Sequence, residues 1–238
     1  MTWHRKPLCG FDIESTGVDP ETDRIVTVCV VRYGGGAVTV GRSWLADPGV
    51  EIPEGATGIH GVTTAHAREV GRPAAAVVEE VTTALADAVT GGLPIVAMNA
   101  QFDLTMLDRE ARRHGVVPLM DRVSPYVLDP RVLDRKVDRY RKGGRTLTDL
   151  CGHYVVQLDN AHDAQADAIA ACAVTWKIAN RYRALQRSEL GELHGAQIEW
   201  AREQNAGLRD YFARTEGKEA WAAGVRLEWP LIPAWTAS

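Results

Sequence analysis

The order of the predicted strands and helices indicates an α/β fold, with a mixed five-stranded sheet flanked by helices. Three strands come first, and residues 34–36 form so short a glycine turn that the two strands beside it are most simply antiparallel. Strands and helices then alternate, which is typical of crossover connections and makes the sheet mixed. The 238 residues, of which 45% are hydrophobic and 24% charged, suit one domain with an appendage and argue against wholesale disorder.

Each strand is predicted from its apolar pattern. In residues 8–14, Phe11 and Ile13 alternate with Asp12 and Glu14, as on a strand with one apolar face. The other strands are runs of β-branched and apolar residues at 25–33, 37–45, 94–98 and around 123–128.

Helices are predicted from apolar spacing and from the residues at their ends. Pro73 suits a first helical turn, and Gly115 closes a later helix. Residues 46–72 are rich in Gly, Pro and Thr and predict a loop with one short helix. The helices are predicted at 73–89, 103–114, from about 130, at 146–152 and at 163–185.

The sequence changes character after residue 185. Residues 186–238 contain four of the seven tryptophans, and apolar side chains recur there at helical spacing. We expect an amphipathic helix of about 25 residues followed by a tail that bears Trp and Pro. This extension packs either on the first domain or on a second subunit, so a homodimer is possible.

Composition narrows the function classes. Lys and Arg total 27 against 31 Asp and Glu, a net charge of -4, so any nucleic-acid contact must come from a local basic patch. The four cysteines (Cys9, Cys29, Cys151 and Cys172) have no zinc-ligand spacing and predict reduced, buried thiols. No stretch approaches the roughly 18 apolar residues that span a bilayer, and no secretory signal is recognisable. We therefore expect a cytoplasmic protein without membrane contact.

Two carboxylates on the first strand are the first candidates for chemistry. Asp12 and Glu14 point to the same face, and two neighbouring carboxylates are costly to bury without a cation. The alternative is a pair of solvated acids. Residues 15–17 follow as a polar turn whose N–H groups could face an anion.

Two further segments place acids at the ends of elements. Asp103 lies where a strand gives way to a helix, and it is a candidate either for the site or for a helix N-cap. Asp163 is a reasonable N-cap for the next long helix. Asp167 then lies one turn inside that helix, and His162 lies just before it on a movable segment, as a general base requires.

Together the four acids form a set of hard oxygen ligands. Such a set suits Mg²⁺ or Mn²⁺ rather than zinc. It can hold two ions about 4 Å apart, which clamp the attacking and leaving oxygens of a phosphodiester.

The segments FDIESTG, NAQFDLTML and HDAQADA resemble, in order, the three motifs of the DEDDh or DnaQ-like exonuclease family, which includes the epsilon proofreading subunit of bacterial DNA polymerase III. IHGVT at 59–63 also resembles that family, and the resemblance covers residues 7–183. The family's sister group carries Tyr four residues before the third-motif Asp, where this chain has Asp163.

The resemblance implies a ribonuclease H-like fold for residues 1–185 and 3′→5′ exonuclease activity that releases 5′-mononucleotides. It implies that two divalent ions, Mg²⁺ or Mn²⁺, bind at Asp12, Glu14, Asp103 and Asp167, and that His162 deprotonates the attacking water. It also implies contacts to the terminal nucleotide at Ser15, Thr16, Ile59, His60, Asn99 and Phe102.

Residues 131–145 form a basic segment with seven basic and two acidic side chains, a local charge of +5. The segment is either a solvated helix face or a phosphate-binding surface. We predict phosphate contacts at Arg139, Arg141 and Lys142.

The sequence is compatible with more than one substrate and partner. Single-stranded DNA or DNA 3′ ends are the expected substrate, RNA is an alternative, and a catalytically silent nucleic-acid-binding module is a third reading. A DNA polymerase is a possible partner. Residues 205–212, NAGLRDYF, approach a sliding-clamp-binding pattern but start with Asn rather than Gln, and they also fit an ordinary helix face.

Overall fold

A computed structural model describes residues 2–159 and 161–234, so the last residues of the predicted tail, 235–238, lie outside the described residues. Six strands in these ranges form one sheet of order β4-β3-β2-β1-β5-β6. β1, β2 and β3 pair antiparallel, whereas β5 pairs parallel with β1 and β6. The strands are β1 (Pro7–Ser15), β2 (Ile25–Gly34), β3 (Val40–Asp47), β4 (Arg72–Pro73), β5 (Ile95–Val96) and β6 (Val127–Leu128).

The predicted mixed sheet and its helical flanks are confirmed, but the number of strands is six within the described residues rather than five. The extra strand, β4, has two residues and pairs parallel with Ala46 and Asp47 of β3. Two residues show no alternation, so only the tertiary pairing defines this strand.

Residues 46–72 also hold two helices, where the sequence predicted one. Thr63 is the N-cap of the second of these helices, and its side chain accepts a hydrogen bond from His66 N at 3.1 Å. The helices are α1 (Glu54–His60), α2 (Thr64–Val70), α3 (Ala74–Thr90), α4 (Ala100–Arg113), α5 (Leu119–Arg122), α6 (Pro130–Val137), α7 (Leu147–Tyr154), α8 (Ala164–Arg181), α9 (Arg183–Arg187), α10 (Leu190–Arg214) and α11 (Glu219–Gly224), after a 3₁₀ turn at Trp3–Arg5.

The core lies on both faces of β1. Phe11 and Ile13 pack with α3 and α4 on one face, and Leu8 packs with α8 on the other. α8 approaches β1 closely at Gly10, where a Cβ would lie 2.7 Å from Ala168 O and 2.6 Å from Val31 Cγ1. The glycine therefore sets how near the acids of α8 come to those of β1.

The C-terminal extension packs on the same chain. α10 has 25 residues, and its buried Gln197 accepts a hydrogen bond from Asp129 N (2.9 Å) and donates one to Val127 O (3.0 Å), at the end of β6. Further along, Ile232 N donates to Thr105 Oγ1 of α4 at 3.1 Å. In the part of the chain that is described, no helix is both long and apolar enough to cross a bilayer.

Candidate active site

β1, paired with β2 on one side and β5 on the other, carries the first two carboxylates into the site. Asp12 and Glu14 are half-buried and flank the buried Ile13. Because β1 is an inner strand of the sheet, these carboxylates have limited access to water.

α4 delivers the third carboxylate. Asp103 is in the first turn of α4, is 3% exposed, and accepts a hydrogen bond from Ile13 N at 3.1 Å through Oδ1. It is not the N-cap: that position belongs to Asn99, in the left-handed region with φ 63°. The buried Asp129 holds this turn, because its carboxylate accepts from Asn99 N and Ala100 N at 3.3 and 3.0 Å.

α8 delivers the fourth carboxylate and the histidine. Asp163 caps this helix by accepting from Gln165 N and Ala166 N at 3.1 and 2.9 Å. His162 lies before the cap with φ 69°, and its backbone N donates to Asp167 Oδ2 at 3.2 Å. Glu14, His162 and Asp167 each place a possible ligand atom within 4.8 Å of the others.

The crowded carboxylates shift one another's titration. Burial raises the pKa of Asp12 well above 3.8, and the charges of Asp103, Asp167 and Glu14 raise it further. Burial, followed by the charges of Asp167 and Asp163, raises the pKa of Glu14 from 4.5 to about 7. Ionising all of these groups at neutral pH therefore requires a compensating cation.

The donor set fits a divalent metal. Asp167 Oδ1 is buried and has no hydrogen-bond partner among the described residues. A buried carboxylate oxygen without a donor is costly, and a hard cation supplies the missing partner. The carboxylates offer only oxygen, which agrees with the prediction of Mg²⁺ or Mn²⁺.

The predicted nucleotide contacts separate into two groups. His60 lies near the site: burial lowers its pKa first, and the charge of His162 lowers it further. Its Nδ1 accepts from Val62 N at 3.2 Å, whereas its buried Nε2 has no partner among the described residues. Ile59 beside it is 56% exposed.

The others already have intramolecular partners. The buried Thr16 donates through Oγ1 to Asp23 Oδ1 at 2.9 Å and accepts from Arg24 N at 3.0 Å, so its hydroxyl holds the loop after β1. Ser15 Oγ donates to Gly17 O at 2.6 Å, and Asn99 Oδ1 accepts from Arg131 Nη1 at 2.9 Å. Phe102 packs against the hydrophobic core beside α3 and α4. A role for these residues in substrate binding stays a prediction.

Part of the basic segment forms an internal ion-pair cluster. Arg141 and Arg145 both bind the fully buried Asp134, at 2.9 and 2.8 Å, and Tyr154 Oη donates to the same carboxylate at 2.7 Å. Arg141 is thus an internal ion-pair partner, whereas Arg139 and Lys142 are exposed, and phosphate contact by all three residues stays a prediction. The charge count included Asp134, but it could not show that the fold buries this carboxylate between Arg141, Arg145 and Tyr154.

The family model for exonucleases, RNase_T, matches residues 9–175, which include all four carboxylates and His162. The chain belongs to the exonuclease family. The predicted membership of its DnaQ-like 3′→5′ branch is confirmed.

Relatives of this exonuclease domain include far longer chains. A PolC-type DNA polymerase III of Lacticaseibacillus paracasei is 29% identical over 160 residues, which are 67% of this chain and 10% of the relative. The corresponding protein of Oceanobacillus iheyensis is 27% identical over 173 residues, 72% of this chain and 11% of the relative. The chain therefore spans about a tenth of these polymerases.

Solved exonuclease structures share the fold. E. coli exonuclease I in complex with a dT13 oligonucleotide superposes with a TM-score of 0.64 at 20% identity, covering 76% of this chain and 42% of the other. Exonuclease I from Methylocaldum szegediense gives 0.62 at 22% identity, covering 75% and 41%.

Proposed function

We propose that this exonuclease is a metal-dependent enzyme that hydrolyses DNA from the 3′ end and releases 5′-mononucleotides. The observation that carries the proposal is the meeting of Glu14, Asp167 and His162 within 4.8 Å, beside Asp12 and Asp103. A module that only binds nucleic acid gains nothing from buried acids that repel one another and a phosphate alike. That alternative is therefore disfavoured.

Asp12, Glu14, Asp103 and Asp167 would hold two divalent ions. Such ions polarise the scissile phosphate and favour ionisation of the attacking water. Ile13 N fixes the Asp103 carboxylate, and His162 N fixes that of Asp167, so the ligands are positioned before the substrate arrives.

His162 is placed to act as the general base. Its side chain is exposed and precedes α8, so the ring can approach a water molecule beside the acids. The water oxygen attacks phosphorus while the bond from phosphorus to the 3′ oxygen of the preceding nucleotide breaks. His162 accepts a proton from the water, the leaving oxygen takes a proton from solvent, and the products are a 5′-mononucleotide and a strand with a new 3′ hydroxyl.

DNA is the substrate we favour. The names of related proteins support it: PolC-type enzymes are DNA polymerases, and an exonuclease I neighbour holds an oligodeoxynucleotide. RNA trimming is the alternative, because a pocket that tolerates a 2′-OH accepts both. The polymerase relatives also support association with a DNA polymerase, which co-purification with a polymerase subunit would test.

The experiment uses 5′-labelled single-stranded DNA and RNA of one sequence, incubated with purified protein in Mg²⁺, Mn²⁺ or EDTA. We expect a ladder that shortens from the 3′ end of DNA, only with metal, and that disappears in Asp12→Asn. Faster loss of RNA would favour the alternative. No shortening of either strand by folded protein with metal would refute the proposal.

A further inference from the structure

A groove runs away from the active site along the basic segment. Near the site it is lined by Asn99 and Arg131, and it continues past Arg135 and Arg145. The same two arginines also line a second, larger part of about 860 Å³. The two parts therefore adjoin at Arg135 and Arg145, and together their linings extend from Asn99, at the start of α4, to the C-terminal helix α10.

Unbalanced positive charge marks the first part. Arg135 is half-buried and makes no ion pair within 4 Å among the described residues. Burial lowers its pKa, the neighbouring charges of Arg131 and Arg145 lower it further, and the charges of Asp129 and Asp134 partly oppose them. Among the described residues, Arg145 has a carboxylate within 4 Å, whereas Arg131 and Arg135 have none, so these guanidinium groups are suited to bind phosphates.

The second part places aromatic rings beside cations. Tyr140 on one wall is 88% exposed, and Tyr211 on α10 is 52% exposed. Lys136 Nζ lies 5.0 Å from the ring centroid of the half-buried Trp200. Exposed rings next to cations are the features on which unpaired bases stack while their phosphates are neutralised.

The acidic residues that line the second part of the groove are fewer than the basic residues. Asp138 and Glu203 are the acidic residues of its lining, against four basic residues. Asp138 faces His153, with 3.9 Å between its Oδ2 and the imidazole Nε2. The basic residues are Arg135, Lys136, Arg139 and Arg145.

We propose that this groove binds the single-stranded DNA that precedes the 3′ end, with its phosphates on Arg131 and Arg135 and its bases on Tyr140 and Tyr211. The inference rests on the proposed function and extends it to the C-terminal extension. Trp200 and Tyr211 lie roughly 16 Å apart along α10 at 1.5 Å per residue. At about 3.4 Å per stacked nucleotide, that length holds about five nucleotides.

The test compares 5′-fluorescein-labelled oligo(dT) of 3 and 12 nucleotides by anisotropy, in Ca²⁺ to limit cleavage. Tyr140→Ala/Tyr211→Ala is expected to weaken 12-mer binding by about tenfold or more and 3-mer binding by less than about twofold. Arg131→Ala/Arg135→Ala is expected to lower the salt slope of 12-mer binding by one to two units. The matched controls are Tyr126→Ala and Arg187→Ala, exposed side chains outside the groove.

The tyrosines are exposed, so their replacement leaves the core intact, and circular dichroism checks folding of the half-buried arginine variant. If the tyrosine variant loses affinity equally for both oligonucleotides, or loses no more than the control variants, the proposed DNA-binding groove is wrong. If the wild-type protein cleaves neither strand in Mg²⁺ or Mn²⁺, the proposed function fails, yet the binding data still decide the groove. Normal cleavage without length-dependent loss would overturn the groove alone.

Discussion

Replacing Glu14 by Gln tests whether burial, together with the charges of neighbouring carboxylates, disfavours the ionised Glu14 side chain in the metal-free protein. The pKa of Glu14 rises from 4.5 to about 7 in the folded state. At about 1.4 kcal/mol per pKa unit, this shift corresponds to at most about 3 kcal/mol of destabilisation when Glu14 ionises. Glu14 lies partly in solvent, whose screening reduces the figure to about 1–2 kcal/mol.

The sign of the pH dependence follows from the raised pKa. The folded state binds the proton of Glu14 more tightly than the unfolded state does. The stability that comes from this protonated side chain is therefore fully present below pH 4.5 and is lost as the pH rises through about 7. Gln has no charge to lose. In EDTA at pH 8.5, Glu14→Gln should therefore be more stable than wild type by about 1–2 kcal/mol, which raises Tm by roughly 3–6 °C for a chain of this size.

The assay is thermal unfolding in EDTA at pH 5, 7 and 8.5, repeated with Mg²⁺ and Mn²⁺. Glu69→Gln, on the exposed side of α2, is the matched control. Metal should reverse the order, because it stabilises only a site with its ligands intact. A variant that is less stable than wild type in EDTA at pH 8.5, or whose advantage is the same at pH 5, would refute the argument that burial and neighbouring charges disfavour ionised Glu14.

Three further substitutions test the site and its supports. His162→Ala should lower kcat by about 10²–10⁴-fold with metal-dependent stabilisation retained, as measured by single-turnover cleavage and melting; an unchanged kcat would exclude His162 as the base. Asp134→Ala leaves the cation of Arg141 buried without its partner and should cost about 3–5 kcal/mol in urea unfolding, and a loss under 1 kcal/mol would contradict the buried ion pair. Gly10→Ala forces β1 and α8 apart at Ala168, so it should cost about 1–3 kcal/mol and weaken Mn²⁺ binding by calorimetry, whereas an unchanged affinity would separate this contact from the metal site.

Local patterns predicted much of the fold and the convergence of the site. β1 lies where Phe11 and Ile13 alternate with polar residues, and α10 has the predicted length of about 25 residues. Asp163 caps α8 as its position suggested. These features depend on neighbours within a few residues, and such neighbours are visible in the sequence.

Contacts between distant segments could not be predicted in this way. Gln197 satisfies backbone groups at the end of β6, about seventy residues earlier, and nothing in its own helix indicates this role. The two residues of β4 become a strand only because β3 lies beside them. The hydrogen bond by which Thr16 holds the loop after β1 through Asp23 is a further contact that the family resemblance does not indicate.

The amino-acid order by itself determined the alternating elements, the caps and the spacing of the four acids and His162, because periodicity and end residues act over one or two turns of chain. Only the tertiary structure decided which charges remain free for a substrate. Arg141 and Arg135 belong to the same basic segment. The buried Asp134, which also accepts a hydrogen bond from Tyr154, pairs with Arg141, whereas Arg135 makes no ion pair within 4 Å among the described residues. The charge of a side chain is a property of its residue, but the groups that neutralise it are brought near by the fold.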